Sequence, residues 1–432
     1  MRNPMGLTLA LVFVGGMAIG LPIAIAMGAA GMLALVAEGN LSLLSVPQRF
    51  FNGINSFSLL AIPFFILAAD LMTACGITTS ILRFTNSMVG HIRGGLGHVN
   101  VLTNMIFSGI SGSALADAAG PGAVLMRMMQ RAGYEKHYAA ALSAATATIG
   151  PIIPPSIIMV IYALTESRVT VAGLFIAGFG PGILLGLALA LTNHVISVRR
   201  GYGAAHPRMP WRERALTFWW ALPALLMPVI IIGGIVGGLF TVTESAAVAV
   251  VYALLIGVFT RRLTSALVYQ AMLQTALVTS AALLIVAMAS LFAWVLTLLQ
   301  VPQTVGAWIG TLTTDPLLVL FLVGIFVLIC GCFIDVLPAV IILVPVLAPL
   351  ADQFNIDPLH FAVTIVLNLT IGLITPPVGG VLYIMTSVSR LQFERIAAAI
   401  LPFVVAELIV LVLIILFPAL TLTIPHWFGY TR

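Results

Sequence analysis

Apolar residues fill most of the chain in long runs, which charged or turn-forming residues separate. A helix needs about 20 apolar residues to cross a hydrocarbon core of about 30 Å, and many of the runs reach that length. The alternation of apolar and polar residues that a membrane β-barrel requires is not visible in them. The pattern predicts an all-α polytopic membrane protein with spans near residues 5–36, 41–75, 139–163, 169–198, 216–239, 244–260, 266–300, 304–330, 358–386 and 396–420.

Two segments, residues 95–130 and 331–352, do not fit a simple span. Both are apolar or rich in small residues, yet Gly, Ser and Pro interrupt them repeatedly. Non-helical backbone at membrane depth is tolerated only where protein or a wet cavity surrounds it. We therefore predict a re-entrant helical hairpin in each segment. The first apolar run, 5–36, is too long for the apolar region of a signal peptide, so we expect it to remain as a membrane element.

A proline-broken apolar motif occurs twice, as TIGPIIPP at 148–155 and TIGLITPP at 370–377, with an offset of 222 residues. The offset also places Gly109 on Gly331. Two similar halves with a broken segment at corresponding places are typical of secondary transporters. An odd number of crossings in each half would invert the second relative to the first. The prediction is two inverted repeats, each with a hairpin and a proline-broken transmembrane helix.

The prolines of each motif are expected to release backbone carbonyls, because proline lacks an N–H and clashes with the carbonyl four residues earlier. The carbonyls concerned belong to Gly150 and Pro151, and to Gly372 and Leu373. An unbonded carbonyl in hydrocarbon is costly, and a sodium ion would be a suitable partner. The alternative is an ordinary proline kink whose carbonyls bind a neighbouring helix or a water.

Other oxygen atoms near the breaks could complete a cation site: Ser111 and Ser113 in the first half, and Thr375 and Asp335 in the second. Ionisable residues inside a membrane are functional candidates by default. If the substrate is an acid, its carboxylate could meet the N-terminal ends of the broken helices. The candidate substrate-binding residues there are Gly112, Ser113, Asp117, Pro154, Pro376 and Gly379.

Composition and charge support a membrane protein and exclude several other classes. The chain is 61% hydrophobic and 7% charged, with a mean hydropathy of +1.18, which a soluble protein of this length would not have. Arginines crowd residues 199–215 and recur at 261–262, and the positive-inside rule makes both loops cytoplasmic. Since no basic face with interleaved aromatics appears, a nucleic-acid partner is not expected. The seven histidines are scattered, which argues against an enzyme, and the three cysteines in apolar surroundings support neither a disulfide framework nor a four-cysteine metal site. An ion channel would instead line a continuous pore.

Several motifs in order resemble the large membrane subunit of tripartite ATP-independent periplasmic (TRAP) transporters. They are GISGSALAD at 109–117, IGPIIPPS at 149–156, LFIAG at 174–178, FTVTE at 240–244 and IGLITPPVG at 371–379. The resemblance covers essentially the whole chain. It implies an elevator-type architecture, with scaffold helices in 1–75 and 216–300, a transport domain from 76–198 and 301–386, a basic cytoplasmic loop at 199–215 and a C-terminal helix in 387–432.

The resemblance also implies partners and a coupling ion. The expected partners are a small four-helix membrane subunit, a periplasmic substrate-binding protein, the lipid bilayer of a bacterial inner membrane and an organic-acid substrate such as a C4-dicarboxylate or a sialic acid. Two or more sodium ions would drive uptake, and no organic cofactor is expected. The alternative is a proton- or other ion-coupled carboxylate transporter of the same fold that works without a binding protein.

Sodium ligands follow from the same resemblance at matching positions. One site would use Ser111, Ser113, Gly150, Ile153 and Pro155, and the other would use Gly331, Gly372, Thr375 and Val378, with Asp335 in the facing hairpin. The second hairpin departs from the family pattern, because Cys330 and Cys332 stand where hydroxyls are expected. Thiols are softer and weaker ligands for sodium, so backbone oxygens would have to form most of that site.

Overall fold

The computed structural model describes residues 4–38, 44–203 and 208–430. All the regular structure that it assigns to these residues is helical, and eight of the helices are long and apolar enough to cross a membrane. The prediction of an all-α polytopic membrane protein is confirmed. Parts of four predictions lie outside the described residues: 1–3 and 39–43 of the predicted first scaffold unit, 41–43 of the predicted span 41–75, 204–207 of the basic loop, and 431–432 of the C-terminal unit.

The helices of the first half surround one proline-broken segment. They are α1 (Pro4–Ala18), α2 (Ile23–Glu38), α3 (Ser45–Ile54), α4 (Ala61–Ala74, after a 3-10 turn at Phe57–Leu60), α5 (Ile77–Val89), α6 (Gly95–Ser111), α7 (Ala114–Asp117), α8 (Ala123–Arg131, after a π turn at Ala118–Gly122), α9 (Lys136–Ala147), α10 (Ile157–Thr165) and α11 (Val171–Arg200).

The second half has a similar set of helices. They are α12 (Trp211–Val236), α13 (Val242–Phe259), α14 (Ser265–Leu298), α15 (Val301–Leu312), α16 (Pro316–Phe333), α17 (Val336–Gln353), α18 (Pro358–Gly372), α19 (Gly380–Ser389), α20 (Phe393–Leu416) and α21 (Ala419–Trp427).

The order of helices repeats along the chain. The starts of α6, α7, α9, α10 and α11 precede those of α16, α17, α18, α19 and α20 by 221 to 223 residues. This is the offset that the proline motifs predicted. Each half therefore contains a helical hairpin followed by a broken helix, at 95–131 and 136–165 in the first half and at 316–353 and 358–389 in the second. Inversion of one half relative to the other stays a prediction.

Three predicted spans are wrong in their extent, and one of them, 41–75, is divided between α3 and α4. Residues 5–36 form α1 and α2 rather than one element, because the chain turns at Gly20, whose φ of +81° favours glycine, two residues before Pro22. The predicted span 304–330 is likewise divided between α15 and α16. The second hairpin consequently begins at Pro316, not at 331.

Helix α5 was not predicted at all. It carries polar residues throughout, and these bond to its neighbours: the Thr85 and Thr103 hydroxyls lie 2.8 Å apart, and Ser87 and Thr217 lie 2.9 Å apart. Glu244 has a capping role at the start of a helix in the second half. The Thr241 hydroxyl accepts from the Glu244 N–H, and the Glu244 carboxylate accepts from the Thr241 N–H, so the two form a capping box at the start of α13.

Buried polar side chains fix the hairpins against the broken helices. The Asn100 amide on α6 donates to Ser143 Oγ on α9 at 2.7 Å, and Asn104 donates to Thr146 Oγ1 at 2.8 Å. In the second half, Asn368 on α18 donates to the Gly324 carbonyl on α16 at 2.8 Å. Since buried polar groups need hydrogen-bond partners, these contacts determine how each hairpin lies on its broken helix.

Candidate functional site

The tip of the first hairpin lies directly on the first broken segment. Helix α6 ends at Ser111, and the next residue, Gly112, has a φ of +61°. Ser113 caps the start of α7 by accepting from the Ala116 N–H. A Cβ atom added at Gly112 would lie 2.6 Å from the Pro155 carbonyl oxygen. Both the backbone conformation and the close approach therefore require glycine at this position.

Asp117 lies fully buried behind this tip. The Ser111 hydroxyl donates to its Oδ1, while its Oδ2 has no hydrogen-bond partner among the described residues. A Cβ atom added at Gly150 would lie 2.6 Å from that Oδ2 and 3.1 Å from the Ser113 carbonyl carbon. A carboxylate, a serine hydroxyl and the backbone of the broken segment therefore meet in one buried place.

The first broken segment, residues 148–156, connects α9 to α10. Its Pro151 carbonyl, which was expected to be free, instead accepts from Ser156 Oγ at 2.6 Å. The carbonyls of Gly150, Ile153 and Pro155 accept no hydrogen bond from the part of the chain that the structure describes. These are the three backbone positions that the resemblance assigns to a sodium ion, and their oxygens are available to a cation.

The second broken segment, residues 373–379, joins α18 to α19. Its Gly372 carbonyl accepts from the Thr375 N–H at 3.1 Å and its Leu373 carbonyl from the Val381 N–H at 3.1 Å, so the expectation that both are free is wrong. The backbone turns locally after the proline-broken helix and satisfies them. Within the described ranges, no donor reaches the carbonyls of Gly331, Thr375 or Val378.

The cysteine-containing end of α16, in the second hairpin, makes a backbone hydrogen bond to the second broken segment. The Gly379 N–H donates to the Cys332 carbonyl at 3.2 Å. The Thr375 hydroxyl donates to the Ile371 carbonyl at 2.8 Å, which leaves its lone pairs as acceptors. Backbone carbonyls without a donor are therefore present in this half, and their role as sodium ligands stays a prediction.

Both hairpin tips and both broken segments border a single cavity of about 150 Å³. Gly112, Ser113 and Asp335 line it from the hairpins, and Pro151 and Leu373 from the broken segments. Its other wall consists of apolar residues of α4 and α14: Ile62, Ile66, Val278 and Ala282. The cavity thus lies between the hairpin-bearing elements and two long helices of the predicted scaffold.

Comparison with known proteins identifies the family. The family described as "Tripartite ATP-independent periplasmic transporter, DctM component" matches residues 10–420. The chain belongs to this family. It is 40% identical to the sialic acid TRAP transporter large permease protein SiaM of Vibrio cholerae, over 95% of this chain and 96% of that protein. It is 38% identical to the C4-dicarboxylate TRAP transporter large permease protein DctM of Pseudomonas aeruginosa, over 93% and 94% of the two chains.

A solved structure supports the fold of this DctM component. The Alcanivorax borkumensis YdaH transporter, described as having an unusual topology, matches with a TM-score of 0.64. The match covers 95% of this chain and 98% of that one, at 17% sequence identity. At that identity the likeness concerns the fold alone. The relatives in the family are named as transporter permeases, and the expectation of a transporter is confirmed at that level.

The structure brings some of the predicted site residues of this DctM component together and separates others. Ser111, Ser113 and Gly150 adjoin Asp117, which lies beside the predicted sodium ligands and does not line the cavity. Gly112 and Ser113 do line the cavity, whereas Pro154, Pro376 and Gly379 are not among its lining residues. The roles of all these residues stay predictions.

Sequence reasoning missed the apolar wall from α4 and α14, because nothing distinguishes Ile62 or Val278 from any other apolar residue of a membrane span. It also missed that Glu407 meets the first broken segment, where its Oε1 lies 2.9 Å from the Thr148 hydroxyl. The only signal in the sequence was that Glu407 is an acidic residue inside an apolar run, with no partner visible nearby in the sequence. No group of three or more His, Cys, Asp or Glu that could hold a metal exists in the described residues.

Proposed function

We propose that this chain carries out sodium-driven uptake of a small organic acid that a periplasmic binding protein delivers. The family and the names of its relatives support transport, and the relatives' substrates, sialic acid and a C4-dicarboxylate, support a carboxylate. The proposed site for the acid is the cavity between the hairpin tips. An inner-membrane location follows from a binding protein that works in the periplasm.

One observation carries the sodium part of the proposal: the buried Asp117 Oδ2 that has no described donor. A buried carboxylate without a partner is strongly unfavourable, and a hard cation with oxygen ligands would compensate it. The Ser111 hydroxyl and the backbone at Gly150 lie beside that oxygen. Sodium suits such a site because carbonyl, hydroxyl and carboxylate oxygens are hard ligands.

The elevator mechanism is proposed from the position of the cavity. Hairpin tips and broken segments form one wall, and α4 and α14 form the other, whose described lining residues are all apolar. An apolar wall makes no specific hydrogen bonds that would resist sliding. The hairpins with their broken helices are the proposed moving domain, and the scaffold is extended by a separate small membrane subunit of four helices.

Thermal unfolding tests the sodium site without knowledge of the substrate. The protein, purified with its small subunit, is heated in sodium chloride and in choline chloride at equal ionic strength. At a sodium concentration of 100 times Kd, sodium should stabilise the parent by about 2.7 kcal/mol. Ser113→Ala and Thr375→Ala should each reduce the effect. Ser280→Ala is the matched control, since the exposed Ser280 hydroxyl bonds only to its own helix, at Ala276.

The outcome separates the two coupling hypotheses. Sodium coupling is supported if sodium raises the stability of the parent, the site substitutions reduce this effect, and the control substitution leaves it unchanged. The absence of any sodium-specific shift in the parent would overturn it. Proton or other ion coupling through Asp117 or Asp335 would then be the working hypothesis.

A further inference from the structure

A second, larger cavity lies between the same two groups of helices. Its volume is about 450 Å³, against about 150 Å³ for the cavity at the hairpin tips. Residues of α3 and α14 form one wall, including Arg49, Asn52, Ser290 and Trp294. The opposite wall comes from α10 and α17, with Thr165 as its polar residue. None of the described residues that line this cavity is acidic.

Arg49 is the feature of this cavity that requires an explanation. Its guanidinium carbon lies 4.6 Å from the centroid of the Trp294 ring, and no acidic side chain of the described residues forms an ion pair with it. A guanidinium that lies over an indole ring in a cation–π contact still has N–H groups available for other partners. A planar guanidinium with free donors matches the geometry of a carboxylate.

The surrounding backbone holds Arg49 in place. The Ser290 hydroxyl on α14 donates to the Arg49 carbonyl at 3.2 Å. Gly53, one turn further along α3, lies so close to α14 that an added Cβ would be 2.6 Å from Ser290 Cβ. The short helix α3 is therefore pressed onto α14 beside Trp294. The Arg49 backbone and the Trp294 ring therefore lie at the same contact between α3 and α14.

The residues of α14 that line each cavity indicate on which side of the membrane the larger cavity lies. Helix α14 begins just after the basic link at 261–262, which the positive-inside rule makes cytoplasmic. Val278 and Ala282 line the tip cavity, whereas Val286 to Thr297 line the larger one, so the larger cavity is further from that link. It therefore lies on the periplasmic side of the tip cavity.

We propose that Arg49 and Trp294 form an anion-receiving site, which holds the carboxylate of the incoming organic acid on the periplasmic side before the acid reaches the hairpin tips. This proposal rests on the proposed function for its direction of transport and its substrate class. The recognising groups are the Arg49 guanidinium and the neutral donors of Asn52 and Thr165. Because the described part of the lining contains no acidic residue, the site attracts an anion.

Fluorescence quenching of Trp294 tests the site directly. Iodide is the anionic probe and acrylamide the neutral one, and both are used on the complex with the small subunit, in potassium salts without sodium. The Trp294 signal is obtained as the difference between the parent and Trp294→Phe, so the other tryptophans stay in place. Succinate at constant ionic strength then competes with iodide.

Arg49→Gln should lower the iodide quenching constant of Trp294 about fivefold, the effect of one unit charge about 4 Å away in water. Acrylamide quenching should not fall with it, and Arg49→Lys should keep most of the iodide effect. Arg395→Gln, an exposed arginine on α20, is the control and should change neither constant. Succinate should reduce iodide quenching in the parent and not in Arg49→Gln.

Equal iodide quenching in the parent and in Arg49→Gln would overturn the site, as would an equal loss of iodide and acrylamide quenching. If Trp294→Phe does not fold, the total iodide quenching of the parent and of Arg49→Gln gives the same comparison. Because the quenching experiment contains no sodium, a negative quenching result does not affect the test of sodium binding by thermal unfolding. Loss of the sodium-dependent stabilisation would in turn leave the quenching result standing.

Discussion

Gly372 and Gly331 lie backbone against backbone, so that a Cβ atom added at Gly372 would be 2.4 Å from the carbonyl carbon of Gly331. The two residues belong to α18 and α16, one at the end of the broken helix and one near the tip of the hairpin. Neither has room for a side chain. This contact determines the distance between the hairpin and the second broken segment.

Gly372→Ala should therefore push the second hairpin away from α18. We expect a loss of about 1–3 kcal/mol of stability, the usual cost of overpacking, together with a weaker sodium effect. Thermal unfolding in sodium and choline chloride measures both. Gly233→Ala in α12 is the control, because an added Cβ there meets nothing within 4 Å. Equal stability of the two variants would show that the backbone at Gly331 can shift to accept the added methyl group at little cost.

Asp117→Asn tests the buried carboxylate. The amide has nearly the same shape and still pairs with Ser111, but it removes the negative charge beside Gly150. We expect the stabilisation by sodium to be largely lost while stability in choline chloride stays the same or rises, because an unpaired buried charge is costly. An unchanged sodium effect in Asp117→Asn would place the ion elsewhere.

Glu407 should be neutral in this structure, and substitutions can test this. The Thr148 hydroxyl lies 2.5 Å from the Ala145 carbonyl and 2.9 Å from Glu407 Oε1, and one hydroxyl hydrogen cannot serve both well. A protonated Glu407 resolves the conflict by donating to Thr148. Glu407→Gln should thus leave the thermal stability nearly unchanged, and Glu407→Leu should cost about 1–3 kcal/mol of stability. Equal losses of stability in both variants would contradict a protonated Glu407.

The ion pair between α10 and α11 predicts a pH dependence. Arg168 donates from Nε to Glu166 Oε1 at 2.7 Å and from Nη2 to Oε2 at 2.6 Å, and it also pairs with Asp352 at the end of α17. Burial alone would raise the pKa of Glu166, but the hydrogen bonds from Arg168 outweigh it, and the pKa lies below its ordinary value. The carboxylate form is therefore favoured by folding.

For a carboxyl whose pKa is depressed by folding, the stabilisation is present above the unfolded pKa, about 4.3 for Glu, and is lost as the pH falls through the lower folded value. Glu166→Gln should cost about 1.5–3 kcal/mol at pH 7, and the difference from the parent should shrink below about pH 4. Thermal unfolding at several pH values measures it. Glu394→Gln, with no ion pair among the described residues, is the control and should show no such trend.

The sequence was sufficient to locate the breaks and the first hairpin. Two adjacent prolines after a glycine cannot continue a helix, and Gly112 marks the hairpin tip directly. The second hairpin was placed too late, because α16 is as apolar as any simple span and its turn at Ile334 and Asp335 contains neither glycine nor proline. Composition cannot distinguish such a hairpin arm from a crossing helix.

The partners of the released carbonyls could not be predicted. Proline chemistry correctly indicates that helix bonding ends, but it does not show that Ser156 returns to Pro151 or that the Val381 N–H reaches Leu373. Those contacts depend on the path of the chain after the break. The apolar wall of the cavity was equally hidden, since it is formed where α4 and α14 pass the tips.

Helix α14 borders both cavities, with Ala282 facing the first and Trp294 facing the second. These residues are 12 positions apart, which corresponds to about 18 Å along a helix axis. That length is more than half of a hydrocarbon core of about 30 Å. On the proposed route, a solute that passes from Arg49 to the hairpin tips would stay beside α14 for this whole distance.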